Sequence, residues 1–323
     1  MKRPRFLPDD FTLALIATVS TASWFPASGR IATDFNVLTN LAIGLLFFMH
    51  GAKLPRETLL AGARHWRLHL TVLVCTFVLF PALGFILKPL LAPLMTPNLY
   101  TGMLFLCMLP STVQSSIAFT SVAHGNVAAA ICSATASNLL GIFLTPALVA
   151  LLLVTGSGST SSLDAILSIA MQLLLPFIAG QIARRWIGLW MERRAAALKY
   201  VDQGSILLVV YTAFSEAVNQ GLWQQLPLRS LAGLLLGCGT MLAAILLLTK
   251  LMARKLHFNT ADEIAIVFCG SKKSLASGVP MAKVLFASHT VGAIVLPLML
   301  FHQIQLMACA VLAQRYAKRA DRK

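Results

Sequence analysis

Two adjacent lysines, Lys272 and Lys273, interrupt a stretch of apolar and small residues that runs from Phe268 to Pro280. A charged side chain at the centre of a membrane-spanning helix costs about 2.5 kcal/mol or more, and usually marks a function or a buried partner. Adjacent helical residues point about 100° apart, so no more than one lysine faces the middle of a cavity while the other reaches a carbonyl or a partner. Three chemistries are open: binding the anionic head of a substrate, acting as a tethered cation in a vacant ion site, or titrating. Glu216, near the outer end of the seventh span predicted below, is the acid well inside a candidate helix, and either pairs with one of the lysines or snorkels to the outer interface.

A second polar break lies between Leu106 and Phe119, with Thr112, Gln114, Ser115 and Ser116 in it, and its Thr112-Val-Gln-Ser115 aligns with Ser271-Lys-Lys-Ser274 of the first at an offset of 159. Nearby apolar runs carry Ser133, Thr135, Ser137 and Asn138, and then His302, Gln303 and Gln305. Hydroxyl and amide oxygens suit a hard cation such as Na⁺ and equally suit a polar substrate. In membrane helices such groups often bond only a neighbouring helix, but their grouping against two broken segments favours a ligand site. The candidate set is Thr112, Gln114, Ser115, Ser116, Ser133, Thr135, Asn138, Ser271, Lys272, Lys273, Ser274, His302 and Gln303.

The elements that must position these residues follow from composition. Of 323 residues 58% are hydrophobic and 11% charged, against about a quarter charged in a soluble domain, which excludes a soluble enzyme. At about 20 residues per span, apolar runs between breakers predict ten helices near 10–26, 34–52, 67–87, 100–122, 126–154, 163–183, 200–220, 230–252, 261–287 and 289–313. A Gly/Ser-rich linker at 156–162 divides two halves, 1–155 and 163–316, within a single transporter domain. Gly270 and Pro110 each fall about 14 Å into their helices at 1.5 Å per residue, near the bilayer midplane. Interrupted backbone there requires shelter by protein or a wet cavity, and paired breaks in corresponding helices point to a transporter's binding site. Five spans per half is an odd number, so the repeats are inverted.

The net charge of +15 is placed as the positive-inside rule requires rather than as a nucleic-acid footprint. Twenty of the 26 Lys and Arg fall in segments that are cytoplasmic if the N-terminus is inside, and only Arg30, Lys88, Arg229 and Lys283 fall outside. Both termini are therefore expected in the cytoplasm of a multi-pass plasma membrane protein, the inner membrane in bacteria. The first apolar run is read as a retained helix rather than a signal peptide, because Trp24-Phe25-Pro26 makes a poor cleavage site. The six cysteines lie in apolar stretches without metal-ligand spacing and read as reduced packing residues. Neither HExxH nor GxSxG is present, so no enzyme is expected.

At Gln114-Ser-Ser-Ile-Ala-Phe-Thr-Ser-Val-Ala-His-Gly-Asn126 and Phe268-Cys-Gly-Ser-Lys-Lys-Ser-Leu-Ala-Ser-Gly278 the chain resembles the bile acid:sodium symporter family, closest to its sodium/bile acid cotransporter 7 branch and bacterial relatives. Leu45–Leu54, His65–His69, Leu207–Glu216 and Pro297–Leu306 extend the resemblance along nearly the whole chain. It implies an all-α fold of ten helices in two inverted five-helix repeats, with a panel of spans 1, 2, 6 and 7, a core of 3–5 and 8–10, and the fourth and ninth helices broken and crossing. It also implies Na⁺ ligands at Ser115, Ser116, Ser133 and Thr135, and substrate contacts at Lys273, His302 and Gln303. Where sodium-coupled members carry Glu and Gln, however, this chain has Phe268 and Lys272, which removes the attraction for Na⁺.

These readings give a symporter-like secondary transporter of an organic or sterol-like anion, working by alternating access in the lipid bilayer. Its coupling ion is Na⁺ or H⁺, with no resident cofactor, no nucleic-acid partner and no oligomeric state assigned. The alternative is a non-transporting regulator of ion homeostasis, such as that of calcium, built on the same fold.

Overall fold

The computed structural model describes residues 10–53, 65–154, 163–286 and 288–320, and among them all regular structure is helical. Helices α1 (Asp10–Trp24) and α2 (Gly29–Lys53) are followed by α3 (Trp66–Ile86), which contains a π-turn at Cys75–Leu79. Next come α4 (Pro97–Met108), α5 (Gln114–Val122), α6 (Val127–Val149), α7 (Leu163–Arg193), α8 (Ala195–Asn219) and α9 (Leu228–Lys255). The chain closes with α10 (Thr260–Gly270), α11 (Leu275–Leu285) and α12 (Ser288–Ala320). Among the described residues five helices, Gly29–Lys53, Trp66–Ile86, Val127–Leu153, Leu228–Lys255 and Thr290–Lys318, are long and apolar enough to cross a membrane.

Local chemistry explains the starts and stops. Thr96 accepts from Leu99 N ahead of Pro97, Asn126 from Ala129 N, Asn259 from Asp262 N and Ser274 from Ser277 N, each a side-chain cap for orphan helix donors. Asn126 also donates to Asp262 Oδ1 at 2.7 Å, which ties the starts of α6 and α10 together. α2 packs along α7 and α1 along α8, while α12 packs on α4, α8, α9 and α11. The α2–α7 crossing is close because it is made of glycine: a Cβ on Gly51 would sit 2.1 Å from Phe177 O, and one on Gly180 would sit 2.0 Å from Phe48 O.

The structure corrects three expectations. The predicted loop around 184–199 is helical almost throughout, since α7 continues to Arg193 and α8 starts at Ala195. Arg184, Arg185, Arg193 and Lys199 therefore ride on helical turns beyond the apolar run. Lys283, expected in an outer loop, is in the last turn of α11 with its side chain 5% exposed, and its Nζ lies 3.0 Å from Glu216 Oε2. Packing of α8 on α11 thus gives Glu216 a partner that is neither Lys272, Lys273 nor water. The linker at 156–162 and the basic residues Lys2, Arg3, Arg5, Arg56, Arg64, Arg322 and Lys323 lie outside the described residues.

Candidate substrate and ion site

Two interruptions meet at the centre of the molecule. Pro110 has no N–H to continue α4, so residues 109–113 leave helical geometry before α5 begins, and Ser271–Ser274 separate α10 from α11. A helix end exposes unpaired carbonyls, and here each break serves the other. Ser111 Oγ donates to Cys269 O at 2.6 Å and Ser116 Oγ to Phe268 O at 3.1 Å, while Ser274 N donates to Pro110 O at 2.9 Å. Gln305 of α12 fixes the second break from the side, accepting from Lys273 N at 3.1 Å and donating to Lys273 O at 3.2 Å.

The two lysines, both 0% exposed, have opposite surroundings. Lys273 Nζ donates to the carbonyls of Thr76, Cys107 and Leu109 at 2.8, 2.8 and 2.7 Å, and sits 4.1 Å from the Phe80 ring centre. The first carbonyl belongs to the π-turn of α3, where the helical ladder slips by one residue and frees an acceptor. The other two lie at the C-terminal end of α4, the negative pole of that helix. Lys272 Nζ lies 3.9 Å from the Phe119 ring centre and 5.6 Å from that of Phe268, and has no hydrogen-bond partner among the described residues. An aromatic face is a low-polarity substitute for water around a cation.

Beside the two breaks is a cavity of about 440 Å³, a size ordinary for a small-molecule site. Thr112, Gln114, Ser115, Thr135, Asn138, Ser274 and His302 line it, together with Ser277, His50, Lys53, Lys199 and Asp202. Ser116, Ser133, Ser271, Lys272, Lys273 and Gln303 are not on its wall. Ser115 and Ser116 both bond Thr112 Oγ1, at 2.8 and 3.3 Å, whereas Ser133 bonds His69 Nδ1 at 2.7 Å. Among the described residues no hydrogen bond links these two groups. Gln303 accepts from Thr12 Oγ1 of α1 at 3.0 Å.

With this geometry in view, the sequence matches the SBF-like CPA transporter family over residues 9–318. The chain belongs to that family. It is 66% identical to Uncharacterized protein PA2026 of Pseudomonas aeruginosa and 56% identical to "Putative symporter YfeH" of Escherichia coli, in each case over 99% of this chain and 96% of the relative. It is 31% identical to Sodium/bile acid cotransporter 7 of Mus musculus, over 94% of this chain and 90% of the relative. As an SBF-like CPA transporter it is a multi-pass membrane transport protein rather than an enzyme.

Several residues of this SBF-like site carry weak sequence signals. Thr76 contributes a backbone carbonyl, which any residue could supply. Gln305 is three residues after His302 and hydrogen-bonds it at 3.0 Å, so its helical spacing was a usable clue. Lys53 ends α2 and Asp202 is in the second turn of α8, near helix ends where charges are commonplace.

Proposed function

We propose that this SBF-like CPA transporter is a secondary transporter that moves an organic or sterol-like anion by alternating access, with Lys273 holding the place of a coupling cation. The observation that carries this reading is the ammonium of Lys273 bonded to three backbone carbonyls beside the two helix breaks. Three oxygens around one positive charge form the kind of set that receives a monovalent cation, and the chain fills it with its own side chain. A Na⁺ about 4 Å from a second fixed positive charge is repelled by some 4 kcal/mol at an effective dielectric near 20. The Thr112, Ser115 and Ser116 hydroxyls bond one another and, among the described residues, no carboxylate, which weakens the case for a sodium site there.

The architecture proposed is ten spans in two inverted five-helix repeats. Joining α4 to α5 and α10 to α11 turns the twelve helices numbered above into ten passes, and the joined pairs are long enough to cross about 30 Å. The pairing of α1 with α8 answers that of α7 with α2, as exchange of the halves requires. These four form the panel and the other helices the core. The basic ends of α2, α7, α9 and α12, with Lys199 near the start of α8, support cytoplasmic termini in a plasma membrane, the inner membrane in bacteria. Thr112, Gln114, Ser115, Thr135, Asn138, Ser274 and His302 then contact substrate. Ser116, Ser133, Ser271, Lys272 and Gln303 support the two breaks from behind the wall.

Uptake into proteoliposomes of cholate, the class of anion named for the cotransporter relatives, tests the reading under imposed Na⁺ and pH gradients. Uptake that proceeds without Na⁺, and falls in Lys273→Gln, is expected. Uptake strictly driven by Na⁺ would overturn the tethered-cation mechanism. No uptake of any organic anion under any gradient would leave the regulator of ion homeostasis in its place.

A further inference from the structure

The cavity has a charged end for which the transport reading provides no task. Lys53, the last residue of α2, forms an ion pair with Asp202 in the second turn of α8, and Lys199 lines the same cavity one turn earlier. Asp202 Oδ2 takes the Lys53 ammonium, while Oδ1 is buried without a hydrogen-bond partner among the described residues. That oxygen keeps its desolvation penalty with nothing to offset it. Among the described residues no carboxylate pairs with Lys199. Two ammonium groups, that of Lys199 on an exposed residue, against one carboxylate leave this end of the cavity with one excess positive charge. The rest of the lining is apolar at Phe11, Phe47 and Phe177, and uncharged but hydrogen-bonding beside the two breaks, where Gln114, Asn138 and Ser277 stand.

We infer that Lys53 and Lys199 form the subsite for a single oxyanion headgroup, a carboxylate or sulfonate, of an amphipathic substrate, and that Asp202 is the internal anion that holds Lys53 when the headgroup is absent. The inference rests on the transport reading of this cavity. Charge sets the stoichiometry: with one headgroup bound, two anions face two cations, whereas a dianion leaves one negative charge unmatched. Asp202 then acts as a selectivity device, because a neutral analogue cannot replace it at Lys53 and leaves the ion pair intact. The apolar body lies along the phenylalanines, with any hydroxyls of the substrate toward the breaks.

The test uses the full-length protein in lipid nanodiscs and thermal-shift titration with cholate, below its micellar concentration, and with its uncharged methyl ester. Wild type is expected to bind cholate about tenfold more tightly than the ester, and Lys53→Gln and Lys199→Gln each to lose most of that preference. Asp202→Asn is expected to tighten cholate binding several-fold, since its competitor is gone, and to leave ester binding unchanged. The double variant Lys53→Gln/Asp202→Asn removes both members of the ion pair, and is expected to fold like wild type and to keep only the weaker preference for the acid that Lys199 alone gives. Parallel changes for acid and ester, weaker cholate binding in Asp202→Asn, or no cholate binding by any of these proteins would overturn the subsite. Cholate that binds in the expected pattern, yet crosses no proteoliposome membrane, would overturn transport and leave the subsite standing.

Discussion

Removing the Lys273 ammonium would take the donor from three backbone carbonyls, those of Thr76, Cys107 and Leu109, in a place with no exposed surface. Each buried acceptor left unmet costs about 1–3 kcal/mol, so Lys273→Met should lower the thermal midpoint of the protein in nanodiscs by many degrees. Lys272 is the control one position away. Its ammonium is buried against Phe119 and Phe268 without a hydrogen-bond partner among the described residues. A buried charge without a partner carries its desolvation cost uncompensated, so an apolar side chain of similar length is at least as stable in its place. Lys272→Met is therefore expected to melt at or above the wild-type midpoint, and the opposite order would show that the structural cation is Lys272. Sequence marked both lysines as anomalous but could not rank them. What ranks them is a carbonyl on α3, 197 positions away, freed by a π-turn that the run Cys75-Thr-Phe-Val-Leu79 does not announce.

At the scale of elements, the α2–α7 crossing depends on two backbones meeting without side chains between them. A Cβ at Gly51 or Gly180 would lie within about 2 Å of a carbonyl oxygen, whereas one at Gly44 or Gly204 meets nothing within 4 Å. Gly51→Ala and Gly180→Ala are expected to force the helices apart and to depress the thermal midpoint sharply. Gly44→Ala and Gly204→Ala should leave it unchanged or raise it slightly, because alanine is the better helix former by about 1 kcal/mol. The second break offers a similar contrast. Gln305→Ala deletes the side chain that holds both the N–H and the C=O of Lys273, and should speed amide hydrogen exchange across 271–274; Gln303→Ala should not. Choosing between these two glutamines from sequence is hard, because residues two apart on a helix point about 200° apart and the rotation of α12 is set by packing. Both breaks were legible, since Pro110 and Gly270-Ser-Lys-Lys contradict an apolar helix directly. The ends of α7 and α8 were not, because helical turns beyond the apolar run carry charge and no hydropathy signal. The Lys283–Glu216 pair was missed for a related reason: a residue placed in a loop is not sought as a buried partner.

For the whole molecule, alternating access requires the proposed panel of α1, α2, α7 and α8 to move against the core that carries both breaks. The cavity lies between these bodies, with His50, Lys53, Lys199 and Asp202 on the panel side and Gln114, Asn138, Ser277 and His302 on the core side. Thr12 Oγ1 of α1 donates to Gln303 Oε1 of α12 at 3.0 Å and Lys283 of α11 pairs with Glu216 of α8, so panel and core are joined directly in two places. The Thr12–Gln303 bond contributes about 1 kcal/mol, small enough to break in every cycle, whereas a covalent bridge at the same place would not break. Thr12→Cys combined with Gln303→Cys, joined by a short bifunctional thiol reagent, should hold the two bodies in the arrangement described here and stop anion uptake into proteoliposomes. Cholate binding to the crosslinked protein in nanodiscs should persist, because the cavity is already formed in this arrangement. Wild type treated with the same reagent controls for the six native thiols, of which all but Cys132 are buried. Full uptake by protein shown on gels to be completely crosslinked would mean that substrate crosses without relative movement of α1 and α12, and alternating access between these bodies would have to be abandoned.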